Sequence, residues 1–317
     1  MDWEAERIKT ELDLRIYATS KGYELDLKES WAGSAVMRHP SGDKIIIKRD
    51  SDGHFVYFSV RDDADNGTAF DFTQRRLNCS FGAARKELRA FMSLPAPLFV
   101  PYAPLAPVAK DRIGVERAYA RMQVATRHPY LENERGIPQA ILESRRFAGR
   151  IRIDHRGNAV FPHYDRDGLS GFEIKNHGYT SFAKGGSKGL WTSHVEHLDN
   201  RLVIAESAID ALSHAALFPD ARARYASISG RPTPAQRELI RGEAAVLPES
   251  STVVAAMDAD AAGRELAELV LEAARKADRP DVRFETHVPA SFKDWNEQLC
   301  AAKRASARLH SPEARPA

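Results

Sequence analysis

The chain has 317 residues, 28% of them charged, and a formal net charge of only +2 at pH 7. This length suits two or three domains, and no apolar run approaches the roughly 20 residues that span a bilayer, so we expect a soluble protein without membrane contact. The small net charge excludes nucleic-acid binding through bulk charge, and any such binding must depend on local basic patches.

Two sequence features predict the compartment. The only cysteines, Cys79 and Cys300, lie far apart, which supports neither a disulfide framework nor a cysteine zinc site. The first seven residues carry acidic side chains and lack the apolar core of a secretory signal. We therefore expect a cytoplasmic protein.

The first 93 residues predict a small α+β domain. Apolar residues at helical spacing over 4–20 predict a helix. Short apolar runs at 35–37, 44–48 and 54–60, joined by glycine-containing turns, predict an antiparallel sheet. Two further helices are expected to close this domain.

A proline-rich stretch follows at 94–112 and predicts an extended, semi-rigid linker between domains. Its prolines are Pro95, Pro97, Pro101, Pro104 and Pro107.

Residues 113–199 predict a basic subdomain. A helical run covers 113–127, and strands at 150–154, 159–164 and 169–175 are separated by glycine turns, which predicts a second antiparallel sheet. Arginine and lysine are dense here, although a charge run is usually just a solvated face. The basic residues concerned are Arg145, Arg146, Arg150, Arg152, Arg156, Lys175, Lys184 and Lys188.

From residue 200 to 300, strand and helix patterns alternate. Apolar runs at 202–205 and 253–257 have no polar interruption, which is typical of strands buried on both faces. Repeated βα units of this length predict a parallel sheet with helices on both faces. The expected fold class is thus α+β followed by α/β, and a mobile tail is expected over 301–317.

Acidic residues follow the predicted strands. Glu206 comes after the first, Asp258 and Asp260 after the third, and Asp294 after the fourth. Because the carboxyl ends of parallel strands meet at one edge, these acids should share a crevice, and Asp210 lies one helical turn beyond Glu206.

Clustered carboxylates repel one another unless a cation lies among them, and such oxygen ligands suit Mg²⁺ or Mn²⁺. The alternative is that each acid merely complements a helix dipole.

These acidic segments resemble the Toprim signature shared by bacterial primases, topoisomerases and some nucleases. The stronger likeness is to bacterial replicative primases of the DnaG type, whose segments read Glu-Gly-Tyr-x-Asp, Asp-Gly-Asp-x-Ala-Gly and Lys-Asp-Pro-Asp. This chain has Glu206-Ser-Ala-Ile-Asp210, Asp258-Ala-Asp260-Ala-Ala-Gly263 and Lys293-Asp294-Trp-Asn296. Asn296 thus stands where the family has a second acid, which puts a second metal ion in doubt.

The resemblance extends to the N-terminal part. Residues 1–93 are similar to the zinc-binding module that opens such primases, but Met37, His39, Ser59 and Asp62 stand at the expected ligand places. Because tetrahedral zinc requires four nitrogen or sulfur donors, we expect a zinc-ribbon-like shape without zinc. Apolar packing should stabilise it, through Phe55, Tyr57, Phe70 and Phe72.

The resemblance implies a function. A primase-like nucleotidyltransferase would join nucleotides on single-stranded DNA from nucleoside triphosphates, with Mg²⁺ or Mn²⁺ held by Asp258, Asp260, Asp294 and Asp210. Glu206 would act as general base. Asp258 and Asp260 would be catalytic residues as well. Phosphates of template or nucleotide would contact Arg150, Arg152, Lys184, Lys188 and Lys293.

A narrower likeness is to Toprim proteins of plasmids and mobile elements, which are sometimes joined to mobilisation relaxases. It implies a role in plasmid replication or conjugation, with a helicase or a relaxase as partner. Two alternatives stay open: a Toprim nuclease that cleaves DNA or RNA, and a non-catalytic DNA-binding adaptor in which Ser207 and Asn296 mark the loss of activity.

Overall fold

The computed structural model describes residues 3–50, 52–62, 65–93, 105 and 109–310. The chain divides into two compact units, Met1–Lys110 and Asp111–Ala317. Most of the predicted linker, residues 94–104 and 106–108, lies outside the described residues. The predicted linker and domain bounds stay predictions.

In its described residues, the N-terminal unit combines four helices with one antiparallel sheet, whose strand order is β1-β2-β3-β4-β5. Its elements are α1 (Trp3–Glu11), α2 (Leu14–Ser20), β1 (Glu24–Leu25), β2 (Ala35–Arg38), β3 (Lys44–Arg49), β4 (Phe55–Ser59), β5 (Asn66–Thr68), α3 (Ala69–Leu77) and α4 (Phe81–Met92). The single helix predicted over 4–20 is in fact two. The break occurs because the Asp13 carboxylate accepts a hydrogen bond from the Arg15 amide and so caps the start of α2.

The core of this unit is the helix-facing side of the sheet. The side chains of Ile45, Ile47 and Tyr57 are fully buried, because alternate residues of a strand point to the same face. The predicted aromatic packing is confirmed, since Phe55, Phe70 and Phe72 belong to the same buried cluster as Tyr57.

The four positions compared with zinc ligands lie in different surroundings. Met37 is a fully buried core residue, and the Nδ1 atom of His39 lies 2.7 Å from the Ser41 hydroxyl in a surface turn. Ser59 ends β4, and its hydroxyl accepts a hydrogen bond from the Asp62 amide. The likeness of this unit to a zinc ribbon stays a prediction.

The second unit begins with a basic antiparallel subdomain, whose sheet has the strand order β10-β9-β8-β7-β6. Its elements are α5 (Arg112–Ala120), β6 (Gln123–Val124), a π-helical turn (Tyr130–Glu134), α6 (Gln139–Leu142), β7 (Arg152–Ile153), β8 (Ala159–Asp165), β9 (Gly168–Asn176) and β10 (Tyr179–Phe182). The helix predicted over 113–127 ends at Ala120, because the chain then turns to pair β6 with β7.

The rest of the unit is an α/β sheet with the strand order β11-β13-β12-β14-β15. Its elements are β11 (Trp191–Thr192), β12 (Arg201–Ala205), α7 (Ala208–Leu217), β13 (Ala223–Ser227), α8 (Pro234–Ala245), β14 (Thr252–Ala256), α9 (Ala261–Arg275), β15 (Arg283–His287) and α10 (Trp295–His310). The strands β13, β12, β14 and β15 are parallel, and β11 pairs antiparallel at one edge. The predicted fold class, α+β followed by α/β, is confirmed.

Each face of the parallel sheet carries its own core. Val203, Val254 and other residues of one face pack with α7 and α10, whereas Ile204 and Val253 pack on the other face with α8 and α9. Both faces of β12 and β14 are therefore buried, which accounts for the uninterrupted apolar runs in their sequences.

The C-terminal helix is longer than expected. Residues 301–310, predicted as part of a mobile tail, continue α10, because the Ala- and Arg-rich sequence there has high helix propensity. Residues 311–317 lie outside the described residues. No helix in the described ranges combines the length and apolar character that a membrane crossing requires.

Candidate functional site

Acidic side chains gather at the carboxyl edge of the parallel sheet. In the β12–β14 pairing, Ala205 lies opposite Ala256, so Glu206 and Asp258 leave neighbouring strands at nearly the same level. Asp260 starts α9, and Asp294 directly precedes α10. The first turn of α7 adds Asp210, which is buried.

The charges of these acids act on one another. Burial, followed by the charges of Asp210, Glu206, Asp294 and Asp260, raises the pKa of Asp258 to about 8. Burial and the charges of Asp210 and Asp260 likewise raise the pKa of Glu206 to about 7. The structure therefore brings these five carboxylates, which we call the acidic cluster, into one electrostatic environment.

Asp210 belongs to the same environment. Burial and the charge of Asp294 raise the pKa of Asp210 to about 6, although the Ser207 hydroxyl opposes that rise by donating a hydrogen bond to its Oδ2 atom at 2.6 Å. Ser207 also caps α7, because its hydroxyl accepts a hydrogen bond from the Asp210 amide. This serine therefore holds Asp210 in place.

One atom of the acidic cluster has no partner within the described part of the chain. Asp258 Oδ1 is buried and accepts no hydrogen bond there. A buried carboxylate oxygen without a donor is costly, and a divalent cation would supply the missing interaction. The acidic cluster thus fits Mg²⁺ or Mn²⁺ in ligand chemistry and in this unsatisfied oxygen.

The carboxylate oxygens of the acidic cluster are not closely spaced. Over the ranges that the structure describes, the one set of three acidic or histidine side chains with ligand atoms all within 4.8 Å of one another is Asp50, Asp52 and His54, in a turn of the N-terminal unit. The acidic cluster is more widely spaced. Such spacing suits Mg²⁺, which proteins usually bind through one or two carboxylates, with water and substrate phosphate completing its coordination.

Two of these acids also cap helices. Asp260 Oδ1 accepts a hydrogen bond from the Gly263 amide at 2.8 Å, and Asp294 Oδ1 accepts one from the Glu297 amide at 2.7 Å. The helix-dipole interpretation therefore holds for one oxygen of each. It does not account for Asp258, whose buried oxygen caps nothing.

Trp295 joins the loops that carry the acids, a role that sequence patterns did not reveal. Its indole Nε1 donates a hydrogen bond to the Ala256 carbonyl at 3.0 Å, and the side chain is fully buried. The Ala259 amide donates a hydrogen bond to the Lys293 carbonyl at 2.9 Å. These contacts fix the loop after β14 against the start of α10.

The Asn296 side chain joins α10 to neighbouring segments of the chain. Its Nδ2 donates hydrogen bonds to the Arg135 carbonyl at 2.6 Å and to the Ser213 hydroxyl at 3.0 Å. The residue is buried. Its amide nitrogen is thus engaged with α7 and the chain near residue 135.

Two predicted phosphate-binding arginines contact the basic subdomain itself. Arg150 lies over the Tyr164 ring, 4.9 Å from its centroid. Arg152 donates hydrogen bonds to the carbonyls of Tyr119 and Met122, both at 3.1 Å. Arg152 therefore stabilises the end of α5, and a contact of either arginine with phosphate stays a prediction.

The predicted lysines are exposed. Lys184 and Lys188 lie in the loop after β10, where Lys188 Nζ donates a hydrogen bond to the Ser229 carbonyl at 2.6 Å. Lys293 lies beside the acidic cluster and lowers the pKa of Glu206. Phosphate binding by these lysines also stays a prediction.

Sequence reasoning missed a polar network that involves Ser229, the neighbour of Gly230, whose amide donates a hydrogen bond to the Glu206 carbonyl at 3.4 Å. His163 Nδ1 donates a hydrogen bond to the Gly189 carbonyl at 2.8 Å, which leaves Nε2 to accept one from the Ser229 hydroxyl at 3.1 Å. Burial lowers the pKa of His163 to about 4, so the ring is neutral. The Ser229 hydroxyl also lies 3.2 Å from Glu173 Oε2, and its single proton is donated either to that oxygen or to His163 Nε2.

Glu173 in turn lies beside Lys175, with 3.4 Å between Oε1 and Nζ. Lys175 was noted in the sequence only as one of many basic residues. Strand alternation could have paired Glu173 with Lys175 on one face of β9. Nothing local in the sequence indicates that Glu173 would also lie next to Ser229.

Gly263 is predicted to be essential for the position of Asp258. A Cβ atom at Gly263 would lie 2.1 Å from the Asp258 carbonyl oxygen. Gly263→Ala should therefore displace the Asp258 loop, destabilise the protein by about 1–3 kcal/mol and weaken Mn²⁺ binding. Chemical denaturation and Mn²⁺ titration measure the two effects.

Gly242→Ala is the matched control, because an added Cβ in the middle of α8 meets nothing within 4 Å. It should leave Mn²⁺ binding unchanged and stabilise the protein by up to about 1 kcal/mol. Equal effects of the two substitutions would contradict the proposed packing of Gly263.

Comparisons with known proteins match two parts of the chain. Residues 203–299 match the family described as Toprim-like, and residues 129–196 match a family described as a protein of unknown function, DUF3991. The chain is 32% identical over 215 residues to a protein of Zymomonas mobilis called the 65 kDa protein. That match covers 61% of this chain and 36% of the relative, so the chain spans about a third of the relative's length.

Solved structures with a similar chain include primases. One chain in a structure of the bacteriophage T7 lagging-strand DNA polymerase with gp4 primase domains is 19% identical, with a TM-score of 0.38, and the match covers 62% of this chain and 94% of that one. A DNA primase domain of Pseudomonas aeruginosa is 16% identical, with a TM-score of 0.36 and 52% of each chain covered. The family match spans β12 through α10 and includes Glu206, Asp258 and Asp294. Residues 203–299 are therefore a Toprim-like domain.

Proposed function

We propose that this protein is a metal-dependent nucleotidyltransferase that synthesises primers on single-stranded DNA. The observation that carries the proposal is the buried, unpartnered Oδ1 atom of Asp258 among four other carboxylates. The Toprim-like match and the order of the acidic segments support it. Such an arrangement is costly in a protein without a cation, so its presence favours a site that binds one.

The proposed ligands are Asp258, Asp260, Asp294 and Asp210. Asp260 and Asp294 each use one carboxylate oxygen to cap a helix, which leaves the other oxygen for a cation. A bound Mg²⁺ or Mn²⁺ would neutralise the triphosphate and stabilise charge on the attacking and leaving oxygens.

Glu206 is the proposed general base. It follows β12 at the same edge as Asp258, and a general base needs only hydrogen-bond reach of the proton that it accepts. The carboxylate would take the proton from the 3′-hydroxyl of the growing strand while that oxygen attacks the α-phosphorus of a nucleoside triphosphate. A phosphodiester bond forms, the bond to the β-phosphate breaks, and pyrophosphate leaves.

The basic residues would hold the substrates. Lys184 and Lys188 are exposed on a glycine-containing loop, and ammonium groups there would balance phosphate charge. Arg150, Arg152 and Lys293 are proposed for the same task. Plasmid replication or conjugation is the proposed setting, with a helicase or a mobilisation relaxase as partner.

Primer synthesis tests the proposal directly. With single-stranded DNA, nucleoside triphosphates and Mg²⁺ or Mn²⁺, the wild-type chain should extend labelled products, and Asp258→Ala should reduce synthesis by at least about 100-fold. Glu268→Ala, which removes an exposed acid of α9, is the matched control and should leave synthesis unchanged.

Other outcomes separate the alternatives. Unchanged synthesis by Asp258→Ala would reject the assigned site. Shortened strands instead of extended ones would favour the Toprim nuclease. A wild-type chain that takes up no Mg²⁺ in calorimetry would favour the adaptor.

A further inference from the structure

A cavity of about 230 Å³ lies where β12 and β13 begin. Arg201 and Ala223, the first residues of those strands, line it. Glu206 and Asp258 follow the opposite ends of their strands, and the described lining of the cavity includes no member of the acidic cluster. Pockets for drug-sized ligands usually measure about 300–1,000 Å³, so this cavity suits a smaller chemical group.

Aromatic rings form much of the cavity wall. The centroid of the Phe218 ring lies 5.0 Å from that of His214 and 4.8 Å from that of His287, and these three residues line the cavity together with Tyr225. His214 and Tyr225 are buried, whereas Phe218 is 38% exposed. Because aromatic side chains stack on flat heterocycles, the exposed part of Phe218 offers a stacking surface.

The Tyr225 hydroxyl lacks a hydrogen-bond partner among the described residues. The side chain is only 3% exposed, and burial raises its pKa to about 12, so the hydroxyl keeps its proton and can donate it. Buried hydroxyls normally have a partner. Because Tyr225 lines the cavity, a ligand there would supply the missing one.

The two histidines of the wall hold each other in one tautomer. His214 Nε2 lies 2.9 Å from His287 Nδ1, and His214 Nδ1 is buried without a partner in the part of the chain that the structure describes. Burial lowers the pKa of both rings, so both are neutral at pH 7. A buried donor without an acceptor is rarer than a buried acceptor without a donor, so the His214 proton lies on Nε2 and is donated to His287. The His287 proton then lies on Nε2, which makes that nitrogen a hydrogen-bond donor.

The charges beside the cavity disfavour an anionic ligand. The guanidinium of Arg201 is already paired with Glu285, with 2.9 Å between Nη2 and Oε2. Asp220 adds an exposed carboxylate to the lining, and its Oδ1 atom accepts a hydrogen bond from the Arg222 amide, which leaves Oδ2 as an acceptor. A neutral ligand that offers both donors and acceptors therefore fits these groups better than a phosphate does.

We propose that this cavity binds a nucleobase, carried either by a free nucleoside or by one nucleotide of a single strand. A base is planar and neutral, so it would stack on Phe218. Its edge carries donors and acceptors, which would pair with the Tyr225 hydroxyl, His287 Nε2 and the Asp220 carboxylate. This site is separate from the acidic cluster, and its existence does not depend on the proposed function.

Titration of the full chain with adenosine, guanosine, cytidine and thymidine, and separately with short single-stranded oligonucleotides of the same bases, tests the proposal. Saturation-transfer NMR detects binding, and the ring resonances of His214 and His287 show whether the ligand occupies this cavity. At least one ligand should bind and shift these resonances. Saturation by nucleosides assigns the site to free nucleosides, whereas saturation by oligonucleotides alone assigns it to a base of a strand. Free ribose and inorganic phosphate, which lack a base, should do neither.

Two substitutions locate the contact. Tyr225→Phe keeps the ring and removes the hydroxyl, so it should weaken binding about two- to tenfold. Phe218→Leu keeps an apolar side chain after α7 and removes the stacking ring, so it should weaken binding at least about fivefold. Tyr179→Phe, which removes the hydroxyl of a tyrosine that is 43% exposed on β10, is the matched control and should bind like wild type.

Other results would overturn the proposal. It fails if no nucleoside and no oligonucleotide shifts the ring resonances of His214 and His287, or if free ribose or phosphate shifts them equally. Equal affinities of wild type, Tyr225→Phe and Phe218→Leu would also reject it. If Phe218→Leu does not fold, Tyr225→Phe and the ring resonances of wild type decide. None of these results bears on primer synthesis, so the proposed function stands or falls separately.

Discussion

Asp258→Asn is expected to stabilise the metal-free protein while it removes metal binding. The substitution keeps the shape of the side chain and eliminates a partly buried carboxylate whose pKa is raised to about 8. Relief of such functional strain commonly stabilises a protein by about 1–2 kcal/mol. For a domain of this size, that corresponds to a rise in melting temperature of about 2–8 °C.

The effect should depend on pH. A carboxyl whose folded-state pKa exceeds its unfolded value of 3.8 favours folding below pH 4, and this contribution is lost as the pH rises through 8. Asp258→Asn should therefore be more stable than wild type at pH 8, and the difference should shrink towards pH 4. Thermal unfolding in the presence of a chelator, followed by circular dichroism, measures it.

Two controls sharpen this prediction. Mg²⁺ or Mn²⁺ should raise the melting temperature of wild type but not of the variant, because only wild type binds the ion. Asp281→Asn should not raise it, since the hydrogen bond from Arg279 lowers the pKa of Asp281 to about 2. A variant Asp258→Asn less stable than wild type at pH 8 without metal would contradict the strained-carboxylate interpretation.

Among the substitutions predicted to change stability, Trp295→Ala is expected to destabilise the protein most. The side chain is fully buried and packs with the rings of His214 and His287, whose centroids lie 4.9 and 4.7 Å away. Removing a buried aromatic side chain of this kind costs about 3–5 kcal/mol. The variant should also lose Mn²⁺ affinity, because the hydrogen bond that joins α10 to the end of β14 is lost.

Denaturant unfolding of the variant provides the measurement, and two further variants separate packing from hydrogen bonding. Trp295→Phe keeps an aromatic ring but leaves the Ala256 carbonyl without its donor, which should cost about 1–3 kcal/mol. Trp3→Ala removes a tryptophan that is 72% exposed and should change stability by no more than about 0.5 kcal/mol. Equal losses in Trp295→Ala and Trp3→Ala would rule out the structural role of Trp295.

The parallel sheet could be predicted because its signals are local. Uninterrupted apolar runs mark β12 and β14, and a capping box with proline marks the start of α8, where the Thr233 hydroxyl accepts a hydrogen bond from the Gln236 amide. Once the strands are known to be parallel, topology alone places Glu206 and Asp258 at one edge. Their role as ligands stays a prediction.

The environment of the acidic cluster could not be predicted in the same way. His163 belongs to β8 and Lys175 to β9, and their positions relative to the strand ends that carry the acids depend on how the antiparallel sheet packs on the parallel one. The Trp295 indole and the Ala256 carbonyl are separated by 39 residues in sequence. Contacts of this kind arise from tertiary packing, which periodicity and propensity do not encode.

Some predicted boundaries of helices were wrong, because a local interaction ends or divides the helix that the apolar pattern predicts. The long N-terminal helix is divided because Asp13 caps a second helix, and α5 is shortened because β6 gains a strand partner. Composition suggested a mobile tail after residue 300, yet alanine and arginine favour helix when a packed first turn has already nucleated it.

Asp260 caps α9 and is also a proposed metal ligand, and this affects how relatives of this chain should be compared. A protein that had abandoned catalysis would still benefit from aspartate at that position, since the start of α9 needs an acceptor for its first amides. Asp258 offers the fold no such benefit, and drift should replace it soon after activity disappears. Across a set of homologous sequences, aspartate at position 258 is thus the better marker of an active enzyme. Aspartate at position 260 is also compatible with a protein that has lost activity.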